Sequence, residues 1–444
     1  MSCDGNRPAS NQGLCAADGE EPVPPGGMGT PKGLRLHIGL FGRRNVGKSS
    51  LLNAVTRQAV SIVSDTAGTT TDPVEKPMEM LPIGPVVFID TAGIDDVGAL
   101  GEKRIARTRQ AFDRTDVAII VTEAGNWGPF EEALAGDFAR RRTPFAVVFN
   151  KADIARPDER RKTDLQSRQI PFIEVAATEP EDCRHRFREM LIGCLPEDFL
   201  QKQTIVGDLV NPGDVVMLVV PIDLEAPKGR LILPQVQTIR DLLDHDACCM
   251  VVKERELRDA LGRLREPPAL VVTDSQAFLK VAADTPDDVR LTSFSILFAR
   301  LKGDLNSFAQ GARAIDALRT GDRILVAEAC THHQIGDDIG RVKIPRWLTQ
   351  YVGGKLHFDH IQGCEFPEDI TPYKLVIHCG SCTFNRRNLL SRIEKCRAAG
   401  IPVTNYGIAI AKSLGIIERA LGPFPAALYA YRDRTNQDGG QEGR

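Results

Sequence analysis

Short apolar runs alternate with amphipathic segments through the first half of the chain. The apolar runs predict buried strands at Leu34–Phe41, Val86–Asp90, Val117–Val121, Pro144–Asn150 and Phe172–Ala176. Segments with helical spacing of apolar residues separate most of them, at Lys48–Thr56, Glu102–Arg114, Phe130–Arg140 and Glu181–Ile192. Because strands that alternate with helices usually pair in parallel, this rhythm predicts a mostly parallel sheet with helices on both faces.

The alternation continues in two further blocks. In residues 198–285 we expect strands at Val215–Pro221, Cys248–Val252 and Leu270–Thr273, with helices near Val236–Leu243 and Glu254–Leu264. A block of roughly 85 residues buries little apolar surface alone, so self-association is expected. In residues 286–432 we expect strands near Ser293–Leu297, Arg323–Ala327, Lys374–His378 and Pro402–Asn405.

The two ends are rich in small and polar residues. Residues 1–33 are expected to form a disordered tail and residues 433–444 a shorter one. The chain is therefore expected to be an α/β protein with three domains, at 34–197, 198–285 and 286–432.

Charge and cysteine content narrow the function. Lys plus Arg is 56 and Asp plus Glu is 59, a net charge of −3, so nucleic acid and membrane are not expected as partners. No apolar run approaches the ~20 residues of a membrane span, and a cytoplasmic location is expected. The eleven cysteines favour metal binding or redox chemistry over disulfides in a chain of this size.

A glycine-rich sequence follows the first predicted strand. Residues 42–49, Gly-Arg-Arg-Asn-Val-Gly-Lys-Ser, fit the pattern G-x-x-x-x-G-K-S/T and open a helix. Backbone N–H groups of such a loop bind phosphate oxygens. Lys48 is expected to contact the β- and γ-phosphates and Ser49 to bind Mg²⁺. The predicted nucleotide contacts here are Asn45, Val46, Gly47, Lys48, Ser49 and Ser50.

Later strand ends carry the rest of a guanine-nucleotide site. Asp90, in Asp-Thr-Ala-Gly, can hold Mg²⁺ through water, and the Gly93 N–H can meet a γ-phosphate. Asp153, in Asn150-Lys151-Ala152-Asp153, can accept the two N–H donors of guanine, a pair that adenine lacks. Asn150 can bind the ring edge, Lys151 can pack along the base, and Ala177 lies in a loop suited to contact its O6.

Residues 34–197 resemble the TrmE–Era group of GTPases. The Gly-Thr-Thr-x-Asp switch, here residues 68–72, matches that group. The resemblance implies that Thr70 binds Mg²⁺ and acts in catalysis with Lys48 and Gly93. It also implies that Asn45 coordinates K⁺ and that K⁺ stimulates hydrolysis. Position 94 is Ile rather than a water-orienting Gln, so slow hydrolysis is expected.

Cysteines and histidines cluster in the third block. Cys330 and His332 follow one predicted strand, and His378, Cys379 and Cys382 end another. If the two strands are parallel neighbours, both groups lie at one sheet edge. The cysteines could be incidental, could bind structural zinc with a histidine, or could hold an iron–sulfur cluster.

This pattern, together with the GTPase motifs, resembles the HydF family of [FeFe]-hydrogenase maturation GTPases. The likeness also includes the stretch Pro221-Ile222-Asp223 and the run from Ala226 to Gln235. It implies a Ras-like P-loop GTPase domain, a small α/β dimerisation domain and a doubly wound α/β domain that binds a [4Fe-4S] cluster. It implies that Cys330, Cys379 and Cys382 hold the cluster, with His332 and His378 as possible fourth ligands or supporting residues.

The family role implied is that of a scaffold or carrier. It would take a diiron precursor bearing CO and CN⁻ to apo [FeFe]-hydrogenase, with two radical-SAM maturases as further partners, and would act as a homodimer. The alternative is a zinc-stabilised GTPase in RNA modification or ribosome assembly, against which the net charge argues.

Overall fold

The computed structural model describes residues 31–56, 74–91, 110–195, 204–221, 231–329 and 338–433. These residues form three sheets. The chain is therefore a mixed α/β protein, as predicted.

 Eleven pairings join the described strands, and ten of them lie within one predicted block. The exception joins Leu291–Ser293 to Leu270–Thr273.

The first sheet has six strands in the order β2-β3-β1-β4-β5-β6. They are β1 Leu36–Phe41, β2 Val74–Met80, β3 Gly84–Asp90, β4 Val117–Glu123, β5 Phe145–Asn150 and β6 Phe172–Glu174. All pairings are parallel except that of β2 with β3. β2 is an edge strand that the apolar pattern did not predict. The helices are Lys48–Thr56, Pro129–Arg140, Glu159–Ser167 and Pro180–Cys194, and residues 110–114 are also helical.

The second sheet has four parallel strands in the order β10-β9-β7-β8. They are β7 Val215–Val219, β8 Cys248–Val252, β9 Leu270–Thr273 and β10 Leu291–Ser293. The helices of this part are Leu233–Asp244, Leu257–Gly262 and Phe278–Asp284, with 3₁₀ turns at Gly207–Leu209 and Ser275–Ala277.

The strand predicted near Ser293–Leu297 is wrong. The chain leaves β10 at Ser293, whose hydroxyl accepts a hydrogen bond from the Ile296 N–H at 3.2 Å, and the helix Phe294–Lys302 begins. A serine at this position caps a helix because its side chain satisfies a free N–H group. Periodicity alone does not separate a short buried helix from a buried strand.

The third sheet has four parallel strands in the order β12-β11-β13-β14. They are β11 Arg323–Glu328, β12 His357–Gln362, β13 Leu375–His378 and β14 Val403–Asn405. The edge strand β12 is mostly half-buried, and its mixed polar sequence gave no apolar run to predict it. The helical segments are Leu305–Gly311, Ala312–Ala317, Ile339–Lys343, Ile344–Val352, Arg386–Ala398, Tyr406–Ser413, Ile417–Leu421 and Pro425–Arg432.

The second and third sheets share one apolar core. That core contains Val216 and Leu218 of β7 as well as Ile324 and Val326 of β11, and the helix Phe294–Lys302 contributes to it. The first sheet has two separate clusters, one for each face. Its core is therefore independent of the core that the other two sheets build together. The boundaries at 197/198 and 285/286 stay predictions.

The predicted N-terminal tail extends too far. Lys32 and Gly33, which the sequence assigned to it, belong to the 3₁₀ turn Lys32–Leu34, and Gly33 is buried. Within the described part of the chain, no helix has the length and apolar character needed to cross a membrane.

Candidate functional site

The predicted site residues fall into two groups at the carboxyl ends of strands. Thr70, Gly93, Cys330 and His332 lie outside the described residues, so their roles stay predictions. The others lie within them. In a parallel sheet the carboxyl ends of neighbouring strands form one edge, where ligands usually bind.

The phosphate loop needs glycine at two positions. Gly42 has φ 154° and Gly47 has φ 88°. A Cβ atom at Gly42 would lie 2.1 Å from the Val121 carbonyl oxygen, and one at Gly47 would lie 2.2 Å from Asn150 Nδ2. Asn45 also adopts a left-handed backbone, with φ 62°. The sequence pattern therefore corresponds to a tight loop packed directly on β4 and β5.

Lys48 and Ser49 open the helix that follows the loop. The buried Lys48 ammonium donates hydrogen bonds to the carbonyl oxygens of Gly42 (2.9 Å) and Arg43 (2.7 Å). The Ser49 hydroxyl donates to Asp90 Oδ2 at 2.7 Å. The two oxygen groups predicted to hold Mg²⁺ are thus adjacent. Val46 is buried, whereas Asn45 and Ser50 are exposed.

Asp90 lies in a strongly desolvated position. Burial raises the pKa of its carboxyl group, against the hydrogen bond from Ser49 and the positive charges of Lys48 and Lys76. The pKa of Lys76 is lowered by its own burial. Its ammonium donates to Asn53 Oδ1 at 3.1 Å. A divalent cation beside Asp90 would favour the carboxylate form. Lys76 was not predicted as a site residue, because the strand that contains it, β2, was not predicted.

Asn150 joins the two halves of the predicted nucleotide site. Its Nδ2 donates to the Val46 carbonyl at 2.9 Å, and its Oδ1 accepts from the Ala177 N–H at 3.3 Å. Lys151 Nζ donates to the Asn45 carbonyl at 3.0 Å and forms an ion pair with the Glu123 carboxylate. Asp153 is exposed. These hydrogen bonds fix the phosphate loop relative to the loops that are predicted to contact the guanine base. Asp153 remains accessible to a base.

Arg43 anchors the phosphate loop from outside. Its guanidinium donates to both carboxylate oxygens of Glu131, at 2.8 and 3.0 Å. Glu131 is fully buried and also accepts from the Gly128 N–H at 2.9 Å. Bidentate pairing of this kind fixes position and angle together. The sequence offered no signal for it, because the partners lie 88 positions apart.

The second group of predicted site residues lies at the edge of the third sheet. β11 and β13 are parallel neighbours, with Ala327 opposite His378, which confirms that their ends share an edge. The Cys379 sulfur accepts hydrogen bonds from the backbone N–H groups of Ala329 (3.1 Å) and Ser381 (3.4 Å). Burial raises the pKa of the Cys379 thiol to about 11, against these two hydrogen bonds. Such N–H···S bonds stabilise a thiolate when a metal binds it.

His378 is engaged at both ring nitrogens. Its Nε2 lies 3.0 Å from Arg392 Nη1, and its Nδ1 lies 3.0 Å from the Ser381 hydroxyl. Because arginine only donates, Nε2 must be the unprotonated nitrogen and Nδ1 the protonated one. Burial, and then the charge of Arg392, lower the pKa of His378 to about 3. This arrangement favours the supporting role over the ligand role.

Two basic side chains lie beneath residues 379–385, which are called the cysteine loop below. Lys302 Nζ donates to the carbonyl oxygens of Ser381 (3.0 Å), Cys382 (2.9 Å) and Phe384 (2.7 Å). Burial lowers the pKa of Lys302 to about 8, against attraction to the cysteine sulfurs. Burial likewise lowers the pKa of Arg392 to about 10. Neither residue was singled out from the sequence.

Within the described residues, no group of three or more histidine, cysteine or acidic side chains could hold a metal ion. Cys382 and Cys379 are both partly buried. The backbone of residue 329, directly before Cys330, is fixed against the loop, because its carbonyl also accepts the Thr383 hydroxyl at 3.1 Å. Two thiols, one of which accepts hydrogen bonds from two N–H groups, lie near buried positive charges, and this fits an anionic, thiolate-bound centre.

The cysteine loop also contacts the first domain. Asn385 Nδ2 donates to the Arg114 carbonyl at 2.8 Å and to the Asp116 carboxylate at 3.1 Å. Asp113 accepts from Lys395 Nζ at 2.8 Å and, on its own side, from Arg141 Nη1 at 2.8 Å. The helix Arg386–Ala398 and its N-cap Asn385 are therefore hydrogen-bonded to residues 113–116, at the end of the helical residues 110–114 and just before β4.

Three domain families match consecutive parts of the chain. A family described as 50S ribosome-binding GTPase matches residues 37–151. The hydrogen maturase F dimerization domain matches residues 205–303, and the hydrogen maturase F tetramerization domain matches residues 306–423. The chain belongs to the hydrogen maturase F family. Its fold is that of a P-loop GTPase domain followed by the two α/β association domains of HydF proteins.

Curated relatives match the GTPase domain of this HydF-family chain. GTPase Der of Wolinella succinogenes is 36% identical over 157 residues, which are 34% of this chain and 30% of that protein. GTPase Der of Sulfurimonas denitrificans is 39% identical over 130 residues, 28% of this chain and 26% of that protein. The chain thus spans less than a third of these relatives' length.

One solved structure is an Era variant from Aquifex aeolicus bound to GDP and aluminium fluoride. It is 19% identical and covers 56% of this chain and 99% of its own, with a TM-score of 0.32. A likeness at that score adds nothing to the argument on fold.

Proposed function

We propose that the chain binds and hydrolyses GTP with Mg²⁺ and holds a [4Fe-4S] cluster through Cys330, Cys379 and Cys382. In this role it is a cytoplasmic scaffold or carrier that delivers a diiron precursor with CO and CN⁻ ligands to apo [FeFe]-hydrogenase. Two radical-SAM maturases are its proposed further partners, and a homodimer is its proposed state. The match of two HydF domain families next to an intact phosphate loop carries this proposal.

The nucleotide half supports hydrolysis by binding and orienting GTP. Ser49 and Asp90 supply adjacent oxygens for Mg²⁺, and Lys48 supplies a positive charge at the phosphate loop. Asp153 is exposed where it can accept the N–H groups of guanine. Thr70 and Gly93 would complete the γ-phosphate contacts. Turnover of GTP by the whole protein, and its loss in Lys48→Ala, test this half.

K⁺ stimulation follows from Asn45 in the proposed function. Asn45 is exposed in the phosphate loop and has a left-handed backbone. We expect faster GTP hydrolysis in KCl than in NaCl at equal ionic strength, and loss of the difference in Asn45→Ala. Equal rates in both salts would remove K⁺ from the proposal and leave GTP hydrolysis in place.

The cluster half supplies two partly buried thiols with N–H donors around one of them. A bound cluster would supply one-electron chemistry, with three protein ligands leaving one iron open to another ligand. His378 would orient and support the loop through Ser381 and Arg392.

Metal analysis of protein purified without oxygen tests the cluster half. About four irons per chain, as a [4Fe-4S] cluster requires, and a reduced S = 1/2 EPR signal are expected. Both should disappear in Cys379→Ala. Stoichiometric zinc without iron, even after anaerobic reconstitution, would contradict the cluster. Activation of apo [FeFe]-hydrogenase by the loaded protein is the test of the carrier role.

One point favours the alternative of a zinc-stabilised GTPase in RNA modification or ribosome assembly, since the family that matches residues 37–151 is that of a 50S ribosome-binding GTPase. The matches of residues 205–303 and 306–423 favour hydrogenase maturation instead.

A further inference from the structure

Two cations are buried under the cysteine loop without a carboxylate partner. Lys302 is 2% exposed and Arg392 is 3% exposed. Lys302 donates only to carbonyl oxygens of the loop, and no aspartate or glutamate of the described chain forms an ion pair with either residue. Arg392 donates to His378 Nε2 at 3.0 Å and to the Gly363 and Glu365 carbonyls at 2.6 and 3.2 Å.

Aromatic rings complete the surroundings of Arg392. Its guanidinium carbon lies 4.6 Å from the centre of the Phe384 ring and 5.1 Å from that of Phe366. These contacts hold the group in place, but like the carbonyls and the imidazole they are neutral. Elsewhere in the same domain a buried lysine does have an acidic partner, since Lys412 donates to Asp316 Oδ2 at 2.8 Å.

Burying a charge is costly unless an opposite charge accompanies it. Lys302 and Arg392 are therefore expected to face an anionic group in the working protein. Cys379 is the acidic group that acts on both. Lys302 is attracted by the sulfurs of Cys382 and Cys379, and Arg392 is attracted first by that of Cys379 and then by Cys364, Asp113 and Cys396. Only metal-bound thiolates would make these sulfurs lastingly negative at neutral pH.

We propose that Lys302 and Arg392 are the fixed counter-charges of the thiolate-bound cluster, which position its Cys379–Cys382 loop and raise its reduction potential. This inference rests on the proposed cluster. Reduction adds one electron and therefore one negative charge, with no bond formed or broken, and buried positive charges stabilise the more negative state. Charge and hydrogen bonding around the sulfurs are recognised determinants of cluster potentials.

The test is an EPR-monitored redox titration of the reconstituted whole protein, with dithionite as the reductant. Lys302→Met and Arg392→Gln each remove one charge. At least a tenfold lower ratio of reduced to oxidised cluster is expected at a given potential, which is a shift of 59 mV for one electron. The conservative variants Lys302→Arg and Arg392→Lys should restore the wild-type midpoint.

Lys412→Met is the matched control, because it also removes a buried lysine, but one that already has an acidic partner. It is expected to reduce stability without moving the midpoint. Midpoints of Lys302→Met and Arg392→Gln equal to wild type would overturn the assignment. If Lys302→Met holds no iron, binding by Lys302→Arg would support a need for charge. Loss of iron in both Lys302 variants would show that the loop requires the shape of lysine rather than its charge. That result would also overturn the assignment.

The wild-type sample separates the two proposals. Wild-type protein that holds no iron after anaerobic reconstitution contradicts the proposed cluster itself. A wild-type cluster whose midpoint is unchanged by every substitution contradicts only the role of the two cations.

Discussion

The clearest test of the contact between the GTPase domain and the cysteine loop is Gly33→Ala. A Cβ at Gly33 would lie 2.5 Å from the Phe384 carbonyl oxygen, 3.0 Å from that of Cys382 and 2.8 Å from Lys302 Nζ. The first two are backbone atoms, and the Lys302 ammonium holds both of them. The added methyl group must therefore lift the 3₁₀ turn away from the loop.

Overpacking of a tight contact costs about 1–3 kcal/mol, which corresponds to about a 5- to 150-fold change in an opening equilibrium. Native-state hydrogen exchange measures that equilibrium locally. We expect amides near Asn385 and Asp116 to lose protection by such a factor, because these two residues join the surfaces.

Gly136→Ala is the matched control. Gly136 lies inside the helix Pro129–Arg140, and a Cβ there would meet no atom within 4 Å. It is expected to leave protection at the contact unchanged. Unchanged protection in Gly33→Ala as well would show that the turn does not pack on the loop in solution, and the reasoning from the contact would fail.

Three further outcomes follow from the described contacts. Asn150→Ala leaves a buried carbonyl and a partly buried N–H without their partner, at about 1–3 kcal/mol, so fluorescence titration should show weaker binding of labelled GDP. Unchanged affinity would mean that Asn150 does not hold the two loops together. Glu131→Gln keeps the bond to Gly128 but weakens the charged pair with Arg43, at about 1.5–3 kcal/mol. Calorimetry should show earlier unfolding of the GTPase domain, with the half-exposed Glu132→Gln as an unaffected control. Burial raises the pKa of Asp113, but hydrogen bonds and charges from Lys395 and Arg141 bring it below its usual value in the fold. A lowered pKa stabilises the fold at pH values above the unfolded pKa, and this contribution is lost as the pH falls through the folded pKa. Urea titrations below about pH 4 should show that loss, and Asp113→Asn should remove this part of the pH dependence.

The nucleotide site was the most predictable part of the molecule, because its chemistry is local in sequence. Residues 42–47 form one loop and residues 48–49 begin the helix after it, and Asp90, Asn150 and Ala177 each follow or end an apolar strand. The parallel register then brings these strand ends to one edge without further information. The strands Cys248–Val252 and Leu270–Thr273 were predicted to the residue for a similar reason, since each is a short run followed directly by a charged residue, Lys253 or Asp274.

Contacts between distant segments were not predictable from one sequence. Arg43 meets Glu131 across 88 positions, and Lys302 meets Cys382 across 80. Their residue types are common on protein surfaces, so nothing in the pattern marks them as buried. The edge strands were not predicted for a different reason. β2 and β12 each have a neighbour on one side only, so their sequences contain polar residues where a central strand would be apolar.

The common core of the second and third sheets sets which pieces of the chain could be exchanged in evolution. A cut between residues 303 and 306, where one matched domain family ends and the next begins, would strip apolar partners from both fragments. The two HydF domains therefore form one unit of folding, although they are recognised as two units of sequence. The GTPase domain, with its own clusters on both faces of its sheet, can be gained, replaced or lost as a module.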